Sequence, residues 1–167
     1  TVGIVLVTLT AVINFGDFSV DRARELRNVR HAHRGFMDPG PSEARAILAR
    51  ARALARPGET LFVGPQDLRR TNYGPTFMYF ELRDLLRPAS YYLEMNPGTA
   101  NREGSGLADE VRSADWLILT SVWDDWNEPN DSKEYGPSEP NQVVRSSFCV
   151  RFKSDEYRLY ERCDRVA

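Results

Sequence analysis

At 167 residues the chain is long enough for one domain with a real core, and 41% hydrophobic with 28% charged residues is ordinary globular composition. A formal charge of −2 and a pI near 5.7 exclude the general basicity that draws a domain to nucleic acid. Two cysteines, Cys149 and Cys163, are too few for a disulfide-dense scaffold.

The opening stretch, TVGIVLVTLTAVINFG, carries no charge before Asp17. A spanning helix needs roughly 20 apolar residues, so this run is too short to cross a bilayer as it stands. It also lacks the basic start and small-residue cleavage site of a signal peptide. A first residue of Thr rather than Met is expected of a fragment or a processed product. We read the stretch as the outer end of a transmembrane helix, because Arg22, Arg24, Arg27, Arg30 and Arg34 follow closely, as in a juxtamembrane segment. A buried strand rich in Val and Ile is the competing reading. His31 and His33 lie in the same segment without a third ligand nearby, and read as exposed neutral side chains. Residues 1–41 are thus an apolar segment and basic linker, closed by the Pro- and Gly-rich HRGFMDPGPSE, and residues 42–167 an α/β domain.

SEARAILARARALARPGE predicts a helix: Ala44, Ile47, Leu48, Ala51, Leu54 and Ala55 recur on one face, Ser42 suits its cap, and Arg56-Pro57-Gly58 stops it. TLFVGP reads as a short buried strand. TNYGPTFMYFELRDLLRP reads as a helix from near Pro75 to just before Pro88. SYYLEM is a second strand, closed by Asn96-Pro97-Gly98. SGLADEVRSA is a short helix with Leu107, Ala108, Val111 and Ala114 inward, and DWLILTSV is a third strand. SFCVRF and EYRLYER, joined by KSD, form a hairpin. The alternation predicts an α/β fold, a small Rossmann-like three-layer sandwich with a mostly parallel sheet and a C-terminal β-hairpin.

Open parallel sheets bind ligands outside the carboxyl ends of their strands. Here those ends lead into GPQDLRRTNYGP, NPGTANREGSG and WDDWNEPND. Asn72, Tyr73, Glu94, Asn96, Trp123, Asp124, Asp125 and Trp126 are therefore expected to line one cleft. Trp123 and Trp126 suit stacking on a sugar ring, although pinning a long loop to the core is the alternative use of such residues. Asp124, Asp125, Glu128 and Asp131 offer oxygens for a hard cation without the spacing of an EF-hand, and no metal is expected. No glycine stretch has the spacing of a dinucleotide or phosphate loop, so no cofactor is expected. No Ser–His–acid or Cys–His pairing stands out, and no catalytic residue is assigned.

Three phrases carry a resemblance: LARPGETLFVGPQDLRRTNYGPTFMYFELRDLLRPASYYLEMNPGTAN, LADEVRSADWLILT and FCVRFKSDEYRLYERC. Together, roughly from Ser42 to Cys163, they resemble the C-terminal extracytoplasmic domain of polytopic bacterial membrane proteins. Those proteins look like C-type glycosyltransferases, the class using polyprenyl-phosphate sugars. In that family the catalytic acid lies in a loop between early transmembrane helices, to which nothing in this chain corresponds. The resemblance implies a non-catalytic accessory domain on the outer side of the cell membrane, attached through its N-terminal segment. We expect such a domain to help bind a glycan or polyprenyl-phosphate sugar, and its charge gives no reason to expect a nucleic-acid partner. A stand-alone soluble α/β enzyme or small-molecule-binding domain, with its site on the same sheet edge, is the alternative.

We expect a disulfide between Cys149 and Cys163, which flank the hairpin, since an outward-facing domain permits it. A tight turn through KSDE, however, pairs Phe152 with Tyr157, Val150 with Leu159 and Cys149 with Tyr160. Cys163 then points to the opposite face, roughly 10 Å beyond its partner's level. A bridge therefore requires the chain to bulge, or to leave the ladder before Cys163.

If residues 1–16 are a membrane remnant, a chain lacking them unfolds at nearly the same temperature as the full chain. If they form a central strand, the deletion removes sheet hydrogen bonds and core area, and the domain fails to fold. Calorimetry of the two chains separates these outcomes.

Overall fold

A computed structural model describes residues 42–70, 74–90, 100–122, 124 and 135–166. Helix α1 (Ser42–Leu54) buries Ala44, Ile47, Leu48 and Ala51, the three- and four-residue spacing of an amphipathic helix. Its chain turns through Gly58, whose φ of 88° is left-handed and suits glycine, into strand β1 (Thr60–Pro65). Leu61 to Pro65 are all buried, and so is every residue of strand β3 (Trp116–Thr120). Strands buried on both faces read as continuous apolar runs rather than alternations, as these two do.

The long helix expected before Pro88 is shorter: α2 spans Phe77–Glu81, and Leu82 to Leu85 continue as turns. Proline disfavours helical backbone in the residue before it, and Arg87 is accordingly extended. Arg87–Pro88 form β2, a two-residue parallel neighbour of β1. The strand expected from SYYLEM lies, beyond Ser90, outside the described residues. Helix α3 (Leu107–Ser113) precedes β3 with Leu107, Ala108 and Val111 buried. A helix that the sequence reading did not assign, α4 (Glu139–Ser147), leads directly into strand β4 (Phe148–Lys153).

The sheet order is β2-β1-β3-β5-β4, where β5 is Tyr157–Arg162. β1 pairs parallel with β2 and β3, whereas β5 pairs antiparallel with β3 and with β4. The expectation of a mostly parallel sheet is thus corrected: the fold is α/β with a mixed sheet. The physical reason lies in the hairpin. Its return strand buries Tyr157 and Leu159 completely enough to sit inside, while β4 keeps only Phe148 buried and takes the edge. The strand with the more buried side chains holds the central place, although FCVRFK is the more apolar sequence, and it brings an antiparallel ladder with it.

Side chains alternate across this sheet into two cores. Leu61, Val63, Trp116, Ile118, Tyr157 and Leu159 pack with α1 and α2, whereas Phe62, Leu117 and Leu119 pack with α3 and α4. Each large apolar side chain so buried contributes about 1.5–3 kcal/mol. Trp116 also keeps its indole N–H satisfied, donating to Glu59 Oε2 at 2.6 Å.

Cys149 and Cys163 form a disulfide, with Cα atoms 5.0 Å apart. The hairpin register explains how. The turn sets Phe152 opposite Leu159, two positions further along β5 than a tight turn does, and the extra residue Arg151 in β4 takes back one, so Cys149 opposes Glu161 rather than Tyr160. That one-residue shift restores parity, putting Cys163 on the face of Cys149. β5 ends at Arg162, and Cys163–Arg165 curl into a 3-10 turn that closes the remaining distance.

Titration of the denatured, unreduced chain is expected to find no reactive thiol, and two after reduction. Replacing both residues, Cys149→Ser with Cys163→Ser, opens a loop of sequence separation 14 and lowers unfolding free energy by about 3 kcal/mol, measured by denaturant titration.

Candidate functional site

The parallel strands β1 and β3 end side by side, Pro65 opposite Thr120. From there the chain departs to opposite faces, β1 toward α2 and β3 toward α4. Adjacent strands whose continuations diverge in this way make a topological switch point, where open α/β sheets hold ligands. The two exits are tied together, since Gln66 N–H donates to the Thr120 carbonyl at 2.8 Å.

Residues 66–70 fill this position with a fixed polar cluster. The Asp67 carboxylate accepts from the Arg69 backbone N–H at 3.1 Å and from Arg69 Nη2 at 2.6 Å. It also accepts from Asn141 Nδ2 at 2.6 Å, while Asn141 Oδ1 accepts the Leu68 N–H at 2.9 Å. One side chain of α4 thereby holds both the backbone and the carboxylate of the loop after β1. The Arg69 carbonyl accepts from Gly136 N–H at 2.7 Å and from Asn101 Nδ2 at 2.9 Å. Gly136 is needed there, because a Cβ would clash with the Asn101 carbonyl.

Arg70 reaches across the switch point, with Nη1 donating to the Asp124 carbonyl at 2.8 Å and Nη2 to Tyr135 Oη at 3.2 Å. The guanidinium carbons of Arg69 and Arg70 lie 4.7 and 5.6 Å from the centroid of the Tyr135 ring. Tyr135 is 56% exposed, so this ring and its two cations face solvent on ordered supports.

The chemistry available is recognition. Hydrogen bonds from Arg69 hold the Asp67 carboxyl down to about 2, against the opposing effect of burial and with further help from Asn141. A carboxylate so acidic is a weak base and carries no proton to donate near neutral pH. The guanidinium groups offer planar donors, and the tyrosine offers an apolar face with a polar tip.

Of the residues expected to line a cleft, Asp124 is at this place, half-buried, its N–H donating to the Ser121 carbonyl at 2.9 Å. Asn72, Tyr73, Glu94, Asn96, Trp123, Asp125 and Trp126 lie outside the described residues. Asp67, Arg69, Arg70 and Asn101 lie in loops that the sequence places at this edge without marking these side chains, whereas Tyr135 and Asn141 lie outside those loops. Among the described residues no three His, Cys, Asp or Glu side chains converge to hold a metal ion, and no helix is long and apolar enough to cross a membrane. No family model, curated protein or solved structure matches the chain.

Asp67 has a folded-state pKa below its ordinary value of 3.8, so its stabilisation is fully present above that value and is lost as pH falls toward about 2. Asp67→Asn is expected to melt roughly 2–6 °C lower at neutral pH. In scanning calorimetry the gap from wild type closes as the pH is lowered through this window. A gap of constant size would show that the carboxylate charge is not its source.

Proposed function

We propose that the chain is a non-catalytic extracytoplasmic accessory domain of a membrane glycosyltransferase-like protein, contributing to the binding of a glycan or lipid-linked sugar. The observation that carries this reading is the Arg69–Tyr135–Arg70 cluster at the switch point, beside a carboxylate already committed to an ion pair. A tyrosine face suits the C–H face of a sugar ring, and guanidinium groups suit hydroxyl and phosphate oxygens. The Asp67 carboxyl beside the cluster, held down to about 2, is a poor carrier of protons near neutral pH, which supports binding over catalysis.

Two further features support the context. The Cys149–Cys163 bridge fits an oxidising compartment, hence the extracytoplasmic side of the cell membrane. The resemblance over Ser42–Cys163 supports the glycosyltransferase relation, and the apolar start supports attachment to the membrane. The β2–β1–β3 half, with helices packed on each face, supports a Rossmann-like origin for the sandwich, with the hairpin as an addition.

Binding is tested by titrating the chain with a short-chain polyprenyl-phosphate sugar and with the free sugar, followed by calorimetry. Tyr135→Ala is expected to weaken the interaction roughly tenfold or more. Unchanged affinity, or no binding of either ligand by the wild-type chain, overturns the reading. The coding sequence upstream of Thr1 tests the context: several hydrophobic spans agree with it, and a start codon within a few residues contradicts it.

A further inference from the structure

Exposed charge is divided unequally along the described residues. In the α1–α2 segment, Ser42 to Pro88 excluding the loop after β1, the exposed charged residues are Arg45, Arg50, Arg52, Arg56, Arg83 and Arg87, against Asp84. Glu43, Glu59 and Glu81 are half-buried, with Glu43 accepting the Glu156 N–H and Glu59 accepting from Trp116 and Arg165. Among the described residues from Arg102 to Arg145 the exposed charges balance: Arg102, Arg112 and Arg145 with Glu103, Asp109 and Glu139. The basic surface therefore stands out from a chain whose net charge is −2.

The end of α1 and residues 81–87 are joined. Arg52 Nη1 pairs with Asp84 at 3.1 Å, and Gly58 N–H donates to the Leu85 carbonyl at 2.9 Å. Arg87 N–H donates to the Glu59 carbonyl at 2.8 Å, completing the join between the end of α1 and residues 81–87. Between the α1 arginines the exposed crown of the helix consists of Ala46, Ala49 and Ala53. On α2, next in sequence to Glu81, whose carbonyl accepts from Arg52, Phe80 is 45% exposed, with the Arg83 guanidinium 3.8 Å from its ring centroid.

We propose that this α1–α2 face docks onto an anionic lipid surface. Long arginines flanking a crown of methyl groups let the helix lie close to the headgroups while the guanidinium groups reach phosphates. Phe80 supplies an aromatic side chain of the kind that enters the headgroup boundary. A nucleic-acid partner is less suited, since the patch is Ala-crowned rather than continuously polar. The surface is separate from the Arg69–Tyr135–Arg70 cluster, so the two bindings fail independently.

The test is sedimentation of the full chain with vesicles of phosphatidylcholine alone and mixed with phosphatidylglycerol. The expected result is stronger binding to the mixed vesicles that weakens with salt. Each arginine near an anionic surface contributes about fivefold, so Arg50→Gln, Arg56→Gln and Arg87→Gln together lose roughly 100-fold. A second variant, Ala49→Glu with Ala53→Glu, places acids on the exposed crown, is compatible with helix, and is expected to lose binding as well. Circular dichroism melting confirms that a variant is folded before its binding is read. Wild-type binding by either folded variant overturns the proposal. So does equal binding of the wild-type chain to both vesicle types, or variant-sensitive binding to a DNA duplex but not to vesicles.

Discussion

The ladder between β1 and β3 is the constraint from which the rest of the fold follows. Leu61 to Pro65 and Trp116 to Thr120 are buried throughout, so both faces of this pair must be covered. Helices on each side meet that demand, α1 and α2 against one set of alternating side chains and α3 and α4 against the other. Because the two strands are parallel, their carboxyl ends emerge together. Because their continuations must cover different faces, those ends part immediately. The polar cluster therefore arises where burial of the strands ends and the backbone needs new partners.

Those central strands were legible in the sequence because continuous apolar runs such as LFVGP and WLILT have few other uses in a domain of this size. α1 was legible from its spacing. α4 was not: EPNQVVRSS has adjacent valines and little room for periodicity, and its buried Pro140 resembles a turn residue. The mixed sheet was hidden because alternation reveals that a strand is half-buried but not which neighbour it joins. The bulge at Arg151 has no glycine to announce it, and FCVRFK reads equally well without it. For the site, the place was legible and the participants were not. Asp67, Arg69 and Arg70 follow a recognisable strand, but Arg70 meets Tyr135 across a separation of 65 residues and Leu68 meets Asn141 across 73. Tertiary packing alone brings those groups together.

The opposite end of the same two strands is held by charge. Thr60 N–H donates to Asp115 Oδ2 at 2.8 Å, and Glu59 accepts the Trp116 indole N–H. Arg165 pairs with Glu59 at 2.7 Å and also with Asp115, so one guanidinium joins residues at the start of both strands. Glu59 is the least exposed partner, with a side chain only 10% accessible, and this distinguishes the arrangement from Arg52–Asp84, whose side chains are 43% and 66% accessible. The exposed pair is worth little, while the sheltered one is screened less.

Arg165 is delivered by the terminal 3-10 turn, and that turn begins at Cys163. A 3-10 turn of three residues carrying such an arginine has few hydrogen bonds of its own to hold it. The bridge to Cys149 ties this one to the edge strand β4. Its effect thus extends past the hairpin: the covalent link restrains the turn, the turn restrains Arg165, and Arg165 holds Glu59 where the Trp116 indole needs an acceptor. Trp116 is almost wholly buried, and an indole N–H left there without a partner would carry the full cost of desolvation, about 1–3 kcal/mol. The extra residue at Arg151, which sets the cysteines on one face, is therefore coupled through this chain of contacts to the satisfaction of a core tryptophan at the start of β3.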